Sequence, residues 1–243
     1  MSAALLYALV AAAANLAGGL LITAASPATR APQRLLIAFG AGFMLAAALL
    51  GMVPHALEER GAAAATAILV GYLLVHLTQH VLTPHFHFGE ETHHDAMVGR
   101  WVGVTALAGL LLHTFFDGVA IASAFQVGAW LGLLVWLAIL LHKVPEGVTV
   151  ASIMLASGNS RRRAIAAVLL LGAFTVLGVL LTRWVRPLAA HGLALSAGVT
   201  LYVGASNLVP EVQKGRGLAP ALAVFLGAGL YWAASAMLQG YLP

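Results

Sequence analysis

The sequence of 243 residues contains no cysteine and very few charged residues. The absence of cysteine excludes disulfide bonds, thiolate metal sites and cysteine nucleophiles. Only 8% of the residues are charged, whereas a soluble domain carries about 25%. Because so little charge cannot cover a water-facing surface, the composition argues against a soluble enzyme or a nucleic-acid-binding protein. Any metal site must use imidazole, carboxylate, thioether or water ligands.

Apolar residues make up 61% of the chain and fall into eight long runs. A membrane span needs roughly 20 apolar residues. We predict spans at about 3–25, 35–54, 62–82, 101–125, 129–156, 164–184, 190–209 and 219–240. The connections are short, so we expect one all-α polytopic membrane domain over residues 1–243. No lysine or arginine precedes the first run, which argues against a cleaved signal peptide.

The cations are distributed unequally between the two sides of the predicted membrane domain. The loops after spans one, three, five and seven contain eight of them, namely Arg30, Arg34, Arg100, Arg161, Arg162, Arg163, Lys214 and Arg216. The loops after spans two, four and six contain three, namely Arg60, Arg183 and Arg186. The positive-inside rule therefore predicts a protein of the cell (inner or plasma) membrane with both termini on the extracytoplasmic side.

Two internal repeats suggest an inverted architecture. Gly40–His55 reads GAGFMLAAALLGMVPH, and residues 196–211 read SAGVTLYVGASNLVPE; identical residues include Gly42/Gly198 and Pro54/Pro210. Since these segments cross the membrane in opposite directions, we expect spans one to three and six to eight to be inverted copies, a common plan of transporters. His113–Ser123 reads HTFFDGVAIAS and His142–Ser152 reads HKVPEGVTVAS, so spans four and five form a second pair.

Four ionisable groups lie near the middle of spans four and five. His113 and Asp117 are four residues apart, as are His142 and Glu146, so each pair shares a helix face. Such groups at bilayer depth cost several kcal/mol unless they are paired or coordinated. Two imidazoles and two carboxylates suit Zn²⁺ or another divalent first-row metal. The alternative is a hydrogen-bonded network that only holds the helices together.

These motifs resemble those of the ZIP family of divalent metal transporters, in a bacterial-type form. HTFFDG is similar to the family's fourth-span HN-x-x-[DE]-G element, and HKVPEG to its fifth-span HE-x-P-[EH]-[GE] element. The likeness extends to FGAGFMLAAAL in span two, LYVGASNLVPE in span seven and a His-rich loop. The resemblance implies a 3+2+3 arrangement of eight helices and uptake of a divalent metal into the cytoplasm. The inverted repeats favour alternating access, and the imidazole and carboxylate groups suit Zn²⁺, which we expect first, as well as Cd²⁺, Fe²⁺ and Mn²⁺. The implied ligands are His113, Asp117, His142, Glu146 and, from span two, Met44.

The sequence departs from the family pattern at a second metal site. Many members hold a second metal with the residue that follows each histidine, and these positions are Thr114 and Lys143 here. A hydroxyl is a poor ligand and an ammonium is none. We therefore expect the fixed charge of Lys143, three residues from Glu146, to replace the second metal, with the carboxylates keeping this buried lysine charged.

Further polar residues suggest a path and an accessory site. His85, His87, His93 and His94 lie in the predicted cytoplasmic loop 83–100, where clustered histidines suggest weak metal binding, a solvated polar loop being the alternative. His55, Asn207 and Glu211 are candidates for a metal path through the repeat-related spans. We expect the metal ion and the lipid bilayer as partners, no organic cofactor and no nucleic acid; a homodimer is left open.

Two other functional classes use similar residues. A zinc-dependent intramembrane hydrolase would activate water on the metal, but the sequence contains neither HExxH nor G-x-S-x-G. A cation-efflux carrier also uses histidine and aspartate on helices, typically with a cytosolic domain that this chain lacks. We therefore expect a transporter and not an enzyme.

Overall fold

A computed structural model describes residues 3–24, 30–82, 100–213 and 217–241, and all regular structure in these residues is helical. The α-helices are α1 (Ala3–Ala24), α2 (Arg30–Ala46), α3 (Val53–Arg60), α4 (Ala62–Leu82), α5 (Arg100–Val127), α6 (Ala129–Ala156), α7 (Arg161–Thr182), α8 (Arg186–Tyr202), α9 (Val209–Gln213) and α10 (Leu218–Tyr241). Two π-helices, Ala47–Met52 and Val203–Leu208, join α2 to α3 and α8 to α9.

Within the described residues, eight helical stretches are long and apolar enough to cross a membrane, which confirms the eight predicted spans. In chain order, spans one to eight are Ala3–Thr23, Leu35–Arg60, Ala62–Val81, Gly103–Val127, Ala129–Ala156, Arg161–Thr182, Arg186–Leu208 and Leu218–Gly240. The main difference from the prediction is in span two, which we expected to end near residue 54. Its helix continues through Pro54 to Arg60, so His55 lies inside the helix.

The two π-helices occupy equivalent positions of the first repeat. When Gly40–His55 is aligned with 196–211, Ala47 corresponds to Val203 and Met52 to Leu208, the first and last residues of the two π-helices. Each π-helix is followed by Val-Pro. A proline has no N–H to donate to the preceding turn, and a wider turn just before it is one way to accommodate that loss. The two repeats therefore share an irregularity of the backbone as well as side chains.

Glycines bring span one against span five and span four against span six. A Cβ at Gly147 would overlap the carbonyl oxygen of Asn15, and one at Gly18 would overlap that of Val144. The same relation holds between spans four and six, where Gly118 faces the carbonyl of Thr175 and Gly178 faces that of Phe115. Small residues allow such close approach of helix backbones in membranes.

A second set of glycines joins span two to span eight and span three to span seven. Gly42 faces the carbonyl of Val224 and Gly227 faces that of Phe39. In the other half, Gly198 faces the carbonyl of Ile68 and Gly71 faces that of Leu195. Each contact in one half thus has a counterpart at the repeat-equivalent residues of the other half.

Burial differs between the spans and marks where the interior lies. Spans two, four and seven are each 61% buried over their most apolar window and span five is 56% buried, whereas spans one, three and eight are 28%, 22% and 11% buried. A side chain on span four or five is therefore more often surrounded by protein than one on span eight. Ionisable groups on these two spans consequently need partners from the protein or from a ligand.

Candidate metal centre

Four side chains from spans four and five converge at one buried point. His113 and Asp117 lie one helical turn apart on span four, and His142 and Glu146 are spaced in the same way on span five. All four are at most 2% exposed. One ligand-type atom from each lies within 4.8 Å of the others. The group therefore fits a metal site.

One carboxylate oxygen of Asp117 lies between the two imidazoles. Its Oδ2 atom is 3.4 Å from His113 Nε2 and 3.5 Å from His142 Nε2. The centroids of the two rings are 5.5 Å apart. A small cation between these atoms would be in reach of both imidazoles with only modest side-chain movement, since ligand distances to nitrogen and oxygen are about 2.0–2.2 Å.

A hydrogen bond to the backbone orients the imidazole of His142. His142 Nδ1 lies 3.0 Å from the carbonyl oxygen of Ala138, so this nitrogen carries the proton and donates it there. Its Nε2 then presents a lone pair toward Asp117, the arrangement common among metal-ligating histidines. Both ring nitrogens of His113 and Nε2 of His142 are buried without a hydrogen-bond partner. Buried polar atoms are rarely left unpaired, and a cation bound beside Asp117 would pair the Nε2 atom of each ring.

Lys143 and Thr114 reach the same centre from positions next to the two histidines. Lys143 Nζ lies 2.7 Å from Asp117 Oδ2 and 2.5 Å from Glu146 Oε2. Thr114 Oγ1 donates a hydrogen bond of 2.5 Å to Glu146 Oε1. Lys143 is fully buried and does not extend to the helix end. With neutral imidazoles, two carboxylates and one ammonium leave the centre with a net charge of −1.

The other predicted ligand and path residues lie on span two, in the second π-helix, on α9 or outside the described residues. Met44 is fully buried in span two. His55 is half-buried, with Nδ1 2.8 Å from the carbonyl oxygen of Gly51 and its ring 5.2 Å from that of Trp130. Asn207 lies in the second π-helix, where its buried Nδ2 has no hydrogen-bond partner. Glu211 lies on α9. His85, His87, His93 and His94 lie outside the described residues.

Polar side chains outside the predicted site line the contact of spans three and seven. The hydroxyl groups of Tyr72 and Ser206 form a hydrogen bond of 2.9 Å. The ring of Tyr72 packs against that of Tyr202, with 5.0 Å between the ring centroids. His76 lies 4.0 Å from His80 and 5.8 Å from Tyr202, measured between ring centroids. The spacing of Tyr72, His76 and His80 by four residues was the available signal, since it places all three on one face of an otherwise apolar helix.

Asn15 is a second residue that the sequence analysis missed. It is fully buried in span one, and neither atom of its side-chain amide has a hydrogen-bond partner. Its backbone carbonyl packs against Gly147, the residue after Glu146. An isolated amide in an apolar span is unusual, because buried polar groups in membranes tend to be functional. That rarity was the signal in the sequence.

The fold and the centre together define a polytopic membrane protein with a buried histidine–carboxylate group, on spans four and five, that fits a metal site. The family model described as ZIP Zinc transporter matches residues 84–234, which is more than half of the chain and includes spans four to seven with both halves of the site. The chain belongs to the ZIP zinc transporter family, and it is a divalent metal transporter. Comparison with curated proteins gives no match. Proteins of this family are transporters and not enzymes.

Proposed function

We propose that this protein carries zinc into the cytoplasm by alternating access through the centre between spans four and five. The observation that carries the proposal is the convergence of His113, Asp117, His142 and Glu146, from two helices, within 4.8 Å. We assign these four residues as the ligands of the transported ion. Met44 is proposed as a fifth, thioether ligand that approaches from span two.

The donor set supports zinc as the preferred ion. Two imidazole nitrogens and two carboxylate oxygens give the four-coordinate N₂O₂ set that Zn²⁺ accepts readily. The same donors bind Cd²⁺, Fe²⁺ and Mn²⁺, and the order of affinities disfavours iron and manganese relative to zinc. We therefore propose zinc as the main substrate, Fe²⁺ and Mn²⁺ as weaker ones and Cd²⁺ as an ion that the same donors also accept.

The proposed orientation of the chain rests on the charge distribution. Eight loop cations follow the odd-numbered spans one to seven, and three follow spans two, four and six. We propose on this basis that both termini face outward and that the loop 83–100 is cytoplasmic. The proposed location is the inner or plasma membrane of the cell.

The glycine contacts support a 3+2+3 arrangement. The contacts of spans one with five and two with eight are repeated, at equivalent residues, by those of spans six with four and seven with three. In an inverted repeat of this kind, the two halves can adopt each other's conformation, so that the site opens first to one side of the membrane and then to the other. We propose that spans four and five form the centre, with spans one to three and six to eight around them.

The path and the accessory sites are assigned by position. His55, Asn207 and Glu211 are proposed to relay the ion between the centre and the two faces of the membrane. His85, His87, His93 and His94 are proposed to bind metal weakly after release. Thr114 and Lys143 are proposed to replace a second metal, because their side chains already contact Glu146.

Transport by purified protein in lipid vesicles tests this function. We expect uptake of Zn²⁺ into vesicles that contain a zinc-sensitive dye, with no hydrolysis of a substrate, and at least about tenfold less uptake by Asp117→Asn. Glu59→Gln is a matched control, because Glu59 is an exposed carboxylate at the end of span two. Equal uptake by Asp117→Asn and Glu59→Gln would contradict the assignment of the site.

A further inference from the structure

Three consecutive arginines begin span six. The side chains of Arg161, Arg162 and Arg163 are all exposed. Within the described part of the chain, none of them forms an ion pair, since the ion pairs found there belong to Arg60, to Lys143 and to the two histidines of the metal centre. Their combined charge is therefore available to an external anion.

An apolar groove starts beside these arginines and follows span six. It has a volume of about 600 Å³ and lies between spans four, five and six. Its apolar lining consists of Val104, Leu107, Met154, Ala166, Ala167 and Leu170. Arg163 and Asn159 line it at the end that meets the turn between spans five and six. From Arg163 to Leu170 the groove runs about 10 Å along the helix.

We propose that the arginine cluster and the groove bind one anionic phospholipid, with the phosphate on the arginines and part of an acyl chain in the groove. Guanidinium groups bind phosphate oxygens through paired hydrogen bonds. Basic pockets between membrane helices are typical sites for anionic head groups. Inorganic phosphate would satisfy the arginines but leave the groove empty, and a zwitterionic lipid would fill the groove with less attraction to the arginines. The combination favours an anionic lipid.

The position of this site gives the lipid a structural role. The groove is formed by residues from spans four, five and six, and spans four and five also carry the metal centre. A lipid in the groove would link the first turns of span six to the neighbouring end of span four. The inference depends on the spans crossing a membrane and not on the transported ion.

Lipid binding by the purified protein tests the inference. We expect native mass spectrometry to show one dioleoyl-phosphatidylglycerol retained at detergent conditions that remove dioleoyl-phosphatidylcholine. The double variant Arg162→Gln/Arg163→Gln should lose this retention by about tenfold or more, since each basic residue contributes roughly fivefold to binding of an anionic lipid surface. Arg183→Gln/Arg186→Gln removes the same charge from the other end of span six and should retain the lipid.

A second pair of variants tests the groove. Ala166→Trp should fill the groove and reduce retention of phosphatidylglycerol, whereas Ala233→Trp, at an exposed alanine of span eight, should not. Phosphatidylglycerol should raise the midpoint temperature of unfolding, whereas inorganic phosphate at the same concentration should not. Equal retention by the two arginine double variants, full retention by Ala166→Trp, or equal stabilisation by phosphate alone would each overturn the proposal.

Discussion

Lys143 Nζ lies 2.7 Å from Asp117 Oδ2, and that same oxygen lies 3.4 Å and 3.5 Å from the Nε2 atoms of His113 and His142. The ammonium therefore occupies one side of the oxygen that a metal would use. It also contacts Glu146 Oε2. Lys143 thus neutralises carboxylate charge when no metal is bound and competes with a metal for the same two side chains. Such competition lowers affinity and favours release over storage.

Metal stoichiometry should follow the charge at residue 143. We expect one metal ion per protomer in the native centre, because the ammonium is proposed to fill the place of a second ion. Lys143→Glu or Lys143→Asp replaces it with a ligand-type group, and two ions should then bind. The number of metal ions per protomer can be measured by inductively coupled plasma mass spectrometry after gel filtration. Two adjacent ions in the unmutated centre would show that Lys143 does not replace a metal.

Metal affinity should rise when the ammonium is removed without adding a ligand. Lys143→Gln changes the net charge of the centre from −1 to −2, and we expect at least tenfold tighter zinc binding by calorimetry in detergent. Turnover in vesicles should fall, since tighter binding slows release. Arg183→Gln removes a cation far along the sequence from the centre and should change neither quantity. Weaker zinc binding by Lys143→Gln would contradict the competition.

The four ligand groups should be individually necessary. His113→Ala, Asp117→Ala, His142→Ala and Glu146→Ala each remove one ligand, and we expect zinc uptake to fall by at least about tenfold in each case. His191→Ala is the control for loss of an imidazole from a span. Gel filtration in detergent verifies that each variant remains folded. Near-normal uptake by both Asp117→Ala and Glu146→Ala would exclude the metal-site interpretation.

The sequence was sufficient to predict the spans and the four convergent groups. The length of an apolar run alone predicts a membrane span. A spacing of four residues places His113 with Asp117, and His142 with Glu146, on one helix face. The π-helices could not be predicted, because Ala47–Met52 and Val203–Leu208 have the same apolar composition as the α-helices around them. The sequence analysis expected carboxylates beside Lys143, but which carboxylate oxygen its ammonium contacts depends on how spans four and five pack.

The glycine contacts between spans should be sensitive to a single methyl group. Gly42→Ala and Gly198→Ala would each place a Cβ against a backbone carbonyl, of Val224 and Ile68 respectively. Because a backbone carbonyl cannot easily move aside, we expect this overpacking to lower the free energy of unfolding by about 1–3 kcal/mol. Both variants should unfold at lower temperature in detergent. Gly229→Ala, where no atom lies within 4 Å of the added Cβ, should unfold like the native protein.

The His-rich loop should tune transport without being required for it. Replacing His85, His87, His93 and His94 by serine keeps the loop polar and removes its imidazoles. We expect a changed apparent affinity for zinc in vesicle uptake, with the maximal rate largely retained, because the ligands of the centre are untouched. Complete loss of uptake in a stably produced variant would instead place the loop on the obligatory path.

The orientation of the chain can be tested with introduced cysteines, because the native sequence contains none. Ser160→Cys lies in the turn before span six, beside three arginines, and the excess of cations on that side predicts a cytoplasmic position. A membrane-impermeant maleimide should therefore label it only after the cytoplasmic face is opened. A cysteine appended after Pro243 should be labelled in intact cells. The reverse pattern would refute this orientation and would exchange the faces of the protein at which zinc is proposed to enter and leave.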